Sequence, residues 1–161
     1  MADAADILQF ERENRAYFTQ WVPDRGDDYF IPANMERFLA EIEAEQARGE
    51  CYMYLVRLAG ELVGRVNLTD VKDGAASLGY RMGQRHSGKG YATEAVRLAL
   101  REAAARGITT VRAMTTGTNL GSQSVLLRNG FQPAGAVPRA LEVNGERHDA
   151  VLFSKSLLTH P

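Results

Sequence analysis

The stretch Gly83-Gln84-Arg85-His86-Ser87-Gly88-Lys89-Gly90-Tyr91-Ala92-Thr93-Glu94-Ala95 leaves a β-rich segment, passes three glycines within eight residues, and enters a segment of helical spacing. Glycine lets the backbone turn tightly and brings peptide N–H groups close to a ligand; a helix starting immediately afterwards adds unpaired N–H groups and the positive end of its dipole. Together these form a cradle for phosphate. Gly83, Gly88 and Lys89 also reproduce most of the nucleotide-binding pattern G-x-x-x-x-G-K-[ST], but position 90 is glycine, so the hydroxyl that would hold magnesium is missing. No apolar strand ending in a metal-holding aspartate follows, which removes the metal from a nucleotide-hydrolysis reading. Taken alone, the three glycines also fit an ordinary turn.

Outward from the loop, Ala92, Ala95, Val96, Ala99 and Ala103 share one helical face with Leu100, and Gly107 ends the helix. Glu102 and Arg106, at i and i+4, belong to its solvated face. Before the loop, residues 51–58, 61–71 and 75–82 are rich in β-formers and are separated by Ala59-Gly60 and Asp73-Gly74, which predicts three consecutive antiparallel strands. After the helix come a short strand at 109–114 and a short helix at 122–128 closed by Asn129-Gly130. A hairpin at 131–143 and 146–156 then turns at Asn144-Gly145. Towards the N-terminus, Ile7, Phe10, Tyr17 and Trp21 recur at helical spacing, with Asp3 or Asp6 as cap and Pro23 beyond the end. Met35, Phe38, Leu39 and Ile42 form a second helical stripe behind Asn34 as cap, closed by Gly49. Trp21, Tyr29 and Phe30 flank the polar loop 23–28 and read as core anchors. The expected class is α+β: a mixed, largely antiparallel central sheet flanked by helices.

With 161 residues, 45% hydrophobic and 24% charged, the chain has the size of a single domain, residues 1–161, with a proper core. Nineteen basic against twenty acidic residues give no field that would argue for nucleic acid or an anionic membrane. Asp3 and Asp6 stand where a signal peptide would need basic residues, and no apolar run approaches the length of a membrane span, so a cytoplasmic protein is expected. Cys51 is alone and sits in an apolar run, where a buried, inert thiol is expected. His86 reads as a solvated loop residue, His148 lies beside Asp149 in a strand, and His160 is in the tail. No Cys/His cluster has metal-ligand spacing, so no metal is implied.

Two blocks carry a family resemblance. Leu78-Gly79-Tyr80-Arg81-Met82 followed by Ser87-Gly88-Lys89-Gly90-Tyr91-Ala92-Thr93-Glu94-Ala95 resembles the acetyl-coenzyme A loop of the GNAT superfamily of N-acetyltransferases, in particular its RimJ/RimL-like branch. Asn119, Ser122, Val125, Leu126, Arg128, Gly130 and Phe131 then fall at the family spacing N-x-x-S-x-x-V-L-x-K-x-G-F, with arginine for lysine. In the signature Q/R-x-x-G-x-G/A, Gly90 and Ala92 match while Ser87 replaces Gln or Arg, a tolerable departure because the cradle is made of backbone amides. The likeness spans residues 33–157.

The resemblance implies a V-shaped gap in the sheet that holds acetyl-coenzyme A (acetyl-CoA). Its contacts would come from Met82, Gly83, Gln84, Ser87, Gly88, Lys89, Gly90, Tyr91, Ala92 and Thr93 on one side and from Asn119 and Ser122 on the other. It implies the Met82 N–H as oxyanion donor and Ser122 as proton donor to the departing thiolate; the competing role for Ser122 is a hydroxyl cap behind Asn119. Some members place a glutamate on the strand before the loop, where this chain has Ser77. Glu61, Asn67, Tyr80, Glu142 and Asp149 therefore all remain open as general base. The helical region before the sheet borders the acceptor in the family, which makes Glu13, Arg15 and residues 24–28 candidate specificity elements. Members usually begin with a strand, yet only five or six residues precede the first helix here. The acceptor expected is a protein N-terminal α-amine, with a small-molecule amine and a non-catalytic acyl-CoA sensor as alternatives, and a homodimer is compatible with the family.

Overall fold

The structure is a computed structural model that describes residues 3–158. In chain order the elements are α1 (Ala4–Phe18), a 3-10 turn (Asp27–Phe30), α2 (Pro32–Ala47), β1 (Tyr52–Leu58), β2 (Glu61–Lys72) and β3 (Ala75–Met82). After a second 3-10 turn (Gln84–His86) come α3 (Tyr91–Ala105), β4 (Thr110–Thr116), α4 (Leu120–Arg128), β5 (Gln132–Val143) and β6 (Glu146–Ser156). The strands form one six-stranded sheet in the order β1-β2-β3-β4-β6-β5, antiparallel throughout except for β3 against β4. The architecture is the mixed, mostly antiparallel sheet with helices that the residue pattern predicts. Among the described residues no strand precedes α1.

Each face of the sheet buries a different pair of helices. The small-residue face of α3 (Ala95, Val96, Ala99, Leu100, Ala103) lies on Val66, Leu68, Ala76, Leu78, Val111 and Ala113, and Leu126 of α4 joins the same cluster. On the opposite face Ile7 and Leu8 of α1 and Met35 and Leu39 of α2 pack with Met53, Leu55 and Leu62. Burying a Val, Leu, Ile or Met side chain contributes about 1.5–3 kcal/mol, so these two clusters decide which helix lies on which side. Three connections turn on adjacent residues with positive φ, namely Ala59-Gly60, Asp73-Gly74 and Asn144-Gly145, as two-residue hairpins require.

Local details differ from the sequence reading. Asn34 does not cap α2: Pro32 takes the first helical position after Ile31, and the Asn34 side chain instead donates to the Asp28 carbonyl at 2.8 Å. α1 stops at Phe18, so Trp21 lies beyond it. Neither Asp3 nor Asp6 caps α1 through its side chain; both pair with Arg57. Arg106 does not meet Glu102 but stacks over Tyr52 at 4.1 Å, and the ion pair on α3 is Glu94–Arg97. Cys51 is buried, and burial pushes its thiol pKa up. His160 lies outside the described residues.

Candidate active site

The parallel seam between β3 and β4 is short. Ala75–Leu78 run beside Thr110–Ala113, and beyond Leu78 the two strands are no longer paired although both continue. The Gly83 N–H bonds the Val63 carbonyl at 2.8 Å, which fixes the phase of the β2–β3 ladder. Antiparallel alternation then turns the N–H groups of Tyr80 and Met82 away from β2, towards the split. A cleft of about 660 Å³ fills this wedge.

One wall is the glycine loop. Gly88 and Gly90 have φ of +69° and +84°, and no protein atom lies within 4 Å of where a Cβ would stand at either, so the backbone is bare on that side. Gly90 also precedes the first turn of α3, whose Tyr91, Ala92 and Thr93 N–H groups have no intrahelical partners. Ser87, Gly88, Gly90, Ala92 and Thr93 line the cleft, whereas Lys89 and Tyr91 are beside the loop without lining it. Gly83 and Gln84 are turned away. A Cβ at Gly83 would meet Phe10, and the Gln84 N–H donates to Asn14 Oδ1 at 2.9 Å, so both amides already have partners inside the protein. His86 is half-buried, lines the cleft and leans against the Tyr91 ring, contrary to its reading as a solvated residue.

The other wall is the start of α4. Asn119 is the N-cap, and its Oδ1 accepts the Ser122 N–H at 3.1 Å. Ser122 lines the cleft opposite Met82 and Tyr80. Burial raises the Tyr80 phenol above its ordinary pKa and the neighbouring Ser122 hydroxyl partly offsets this, so the phenol keeps its proton at neutral pH.

Residues 1–132 match the family described as the acetyltransferase (GNAT) domain. The chain belongs to the GNAT acetyltransferases. It is 32% identical over 155 residues to the protein named "Probable N-acetyltransferase YjcK" from Bacillus subtilis, covering 92% of this chain and 86% of that one. It is 28% identical over 156 residues to the [ribosomal protein uS5]-alanine N-acetyltransferase of Escherichia coli, covering 93% and 80%. The fold superposes on the ribosomal-protein-S5-alanine acetyltransferase of Vibrio fischeri with a TM-score of 0.92 at 24% identity, over 96% of this chain and 88% of that chain. Mycobacterium smegmatis RimJ in complex with CoA-disulfide gives 0.89 at 24% identity, over 97% and 78%. The protein is an N-acetyltransferase whose acetyl donor is acetyl-CoA.

On the α1 side of this GNAT cleft the sequence reading missed a charged centre. Glu11 is 1% exposed; its Oε1 accepts from Arg65 Nη1 and its Oε2 from Arg81 Nη1 at 2.8 Å. Arg65 also reaches the Tyr29 hydroxyl at 3.1 Å and Met53 Sδ at 3.3 Å. The signal was available: Ala4, Ile7, Leu8 and Glu11 share the buried stripe of α1, so a carboxylate occupies an apolar position and needs a buried cation. Arg81, Tyr17, Phe18 and Trp21 line the cleft, so of the three aromatics read as core anchors Trp21 faces the cleft while Phe30 is buried. Glu13 only accepts from Gln9, and Arg15 holds Asp24 and Asp27 outside the cleft. Of the residues left open as base, only Tyr80 lines the cleft; Glu61, Asn67, Glu142 and Asp149 do not, and neither does Ser77 at the family's glutamate position. Asn14 was also missed; it ties α1 to the start of the loop through Gln84.

Proposed function

We propose that this enzyme acetylates the α-amine of a polypeptide N-terminus by direct attack, as a cytoplasmic single-domain protein. The observation that carries the proposal is the cleft wall itself: among the described residues it contains no aspartate or glutamate, and its histidine, His86, belongs to the glycine loop and lies against the Tyr91 ring. A lysine amine, with a pKa of about 10.4, would need a base to become nucleophilic, whereas an α-amine near 7.7–8.0 is already substantially neutral. A polycationic small amine would also find no carboxylate to hold it. The curated relative that modifies a ribosomal-protein alanine supports the same choice.

Acetyl-CoA supplies the activated acetyl group as a thioester. The N–H groups of Gly88, Gly90, Tyr91, Ala92 and Thr93 would hold its pyrophosphate, with Ser87 and Lys89 beside them. The Met82 N–H, turned into the split, would stabilise negative charge on the reacting carbonyl oxygen. Asn119 sets the first turn of α4, and Ser122, backed by the protonated Tyr80, would hold the proton that the departing thiolate takes. Gly83 and Gln84 would shape the loop without donating to the ligand.

The test is a panel of peptides with free α-amines, lysine side-chain amines and small polyamines, read by release of free coenzyme A. Peptides with free N-termini should react and the same peptides with blocked N-termini should not. Turnover of polyamines or lysine alone would overturn the acceptor assignment. Tight acetyl-CoA binding without transfer to any of these amines would likewise overturn the acceptor assignment.

A further inference from the structure

We propose that Arg81 selects acceptors that carry a carboxylate close to the reactive amine. The inference rests on the α-amine acetylation proposed above and adds the chemistry of the acceptor beyond its nitrogen.

The buried centre holds two guanidinium groups and one carboxylate, Glu11. Arg65 is enclosed: its Nη1 donates to Glu11 and Tyr29, its Nη2 to the Met53 sulfur, and its Nε is buried without a partner. The nearby acids Asp24 and Asp27 share the single Arg15, at 2.6 Å and 2.8 Å; the negative charge they leave over lies in solvent, with the Asp27 side chain 94% exposed, and Arg25 adds a positive charge near Arg81. Within the buried centre one positive charge is in excess, and of its two cations Arg81 is the one that lines the cleft, with its side chain 17% exposed. Nη1 of Arg81 is fixed by Glu11 and its plane lies over the Phe18 ring at 4.9 Å, so the orientation of the group is set before any ligand arrives. Among the described residues its remaining N–H groups have no protein acceptor. A guanidinium fork with free donors, held rigid in a half-desolvated site, matches a carboxylate in both charge and geometry.

Position along β3 limits where that carboxylate must be. Strand alternation puts the Arg81 side chain on the α1 face, beside Tyr17 and Trp21, while the next residue, Met82, presents its N–H at the split edge. The rise is about 3.3 Å per residue, so an acceptor whose amine lies at the split can reach Arg81 only with a group a few bonds from that amine. Two sources satisfy this: an acidic side chain at the second position of a peptide, or the α-carboxylate of a free amino acid.

The experiment compares kcat/KM for alanyl-aspartyl-glycinamide with its neutral isostere alanyl-asparaginyl-glycinamide, and for alanine with alaninamide, on the unaltered protein and on Arg81→Gln. The unaltered protein should favour the acidic member of one pair by about tenfold or more, chiefly in KM, and Arg81→Gln should reduce that ratio to near one. Preference in the peptide pair assigns the carboxylate to the second residue; preference in the amino-acid pair assigns it to the α-carboxylate. Equal kcat/KM within both pairs on the unaltered protein overturns the inference even if Arg81→Gln does not fold, and so does a preference that persists in Arg81→Gln. Absence of coenzyme A release from every acceptor would instead overturn the acetylation reading beneath it.

Discussion

The carboxamide oxygen of Asn119 accepts the backbone N–H of Ser122 at 3.1 Å. This bond closes the first turn of α4 without using the Ser122 hydroxyl, which faces the Tyr80 phenol in the cleft wall. The cap and the proposed proton donor are thus two residues, and they can be separated by mutation.

Ser122→Ala should lower kcat by about a hundredfold while leaving acetyl-CoA affinity nearly unchanged, because a bond to the leaving sulfur matures only in the transition state. Its melting temperature should stay close to that of the parent. A variant that melts several degrees lower yet turns over at the parental rate would remove the hydroxyl from the chemistry and leave Tyr80 to be tested by Tyr80→Phe.

Asn119→Ala should cost about 0.5–2 kcal/mol in urea denaturation, and Asn119→Asp, which keeps the accepting oxygen, should recover most of it. Equal stability of all three proteins would show that the cap bond contributes nothing.

Acetyl-CoA should raise the melting temperature by mass action, whereas ATP with magnesium should not. Gly90→Val combines a left-handed φ of +84°, costing about 1–2 kcal/mol for a side-chain-bearing residue, with a branched side chain on the bare face of the loop. It should weaken acetyl-CoA binding beyond what its lower stability explains. Unchanged affinity in a folded Gly90→Val protein would count against this loop as the pyrophosphate cradle.

Glu11→Ala strands two guanidinium groups in the interior and should destabilise the fold by about 3–5 kcal/mol, the range for breaking a buried ion pair. Glu11→Gln keeps an accepting oxygen and should lose less. Chemical denaturation of the three proteins ranks them, and a Glu11→Ala protein as stable as the parent would contradict the buried-charge assignment.

The raised pKa of Tyr80 has a defined sign. The folded state prefers the protonated phenol, so the contribution to stability is complete below the unfolded value of about 10 and is lost as pH rises through the folded pKa. Stability measured from pH 9 to 12 should fall less steeply in Tyr80→Phe than in the parent.

Much of the architecture was legible because its determinants are local. The paired turns at Asp73-Gly74 and Asn144-Gly145 need left-handed backbone, and the alanine-rich face of α3 has a helical period that no strand shares. Asn34 was misplaced as a cap because a polar residue before an apolar stripe was weighed above Pro32, which fixes the helix start three residues earlier. The left-handed glycines of the loop were legible, but not the division of its amides: Gln84 is withdrawn by Asn14, seventy residues away in sequence. Glu11 stood out by its place in the apolar stripe of α1, but its partners Arg65 and Arg81 escaped for the same reason. Both arginines are ordinary charged residues in their own strands, and only the packing of α1 across β2 and β3 joins them to Glu11 as one centre.

The β3–β4 seam, four residue pairs long, has a mechanical consequence. β1–β3 with α1 and α2 form one leaf of the molecule and β4–β6 with α4 the other, bound along that seam and spanned by α3 like the spine of a half-opened book. A donor molecule lying in the wedge would touch both leaves at the end where they are unstitched. Amide exchange in β5 and β6, strands remote from the glycine loop, should then slow when the donor binds, because closing the book braces both covers at once.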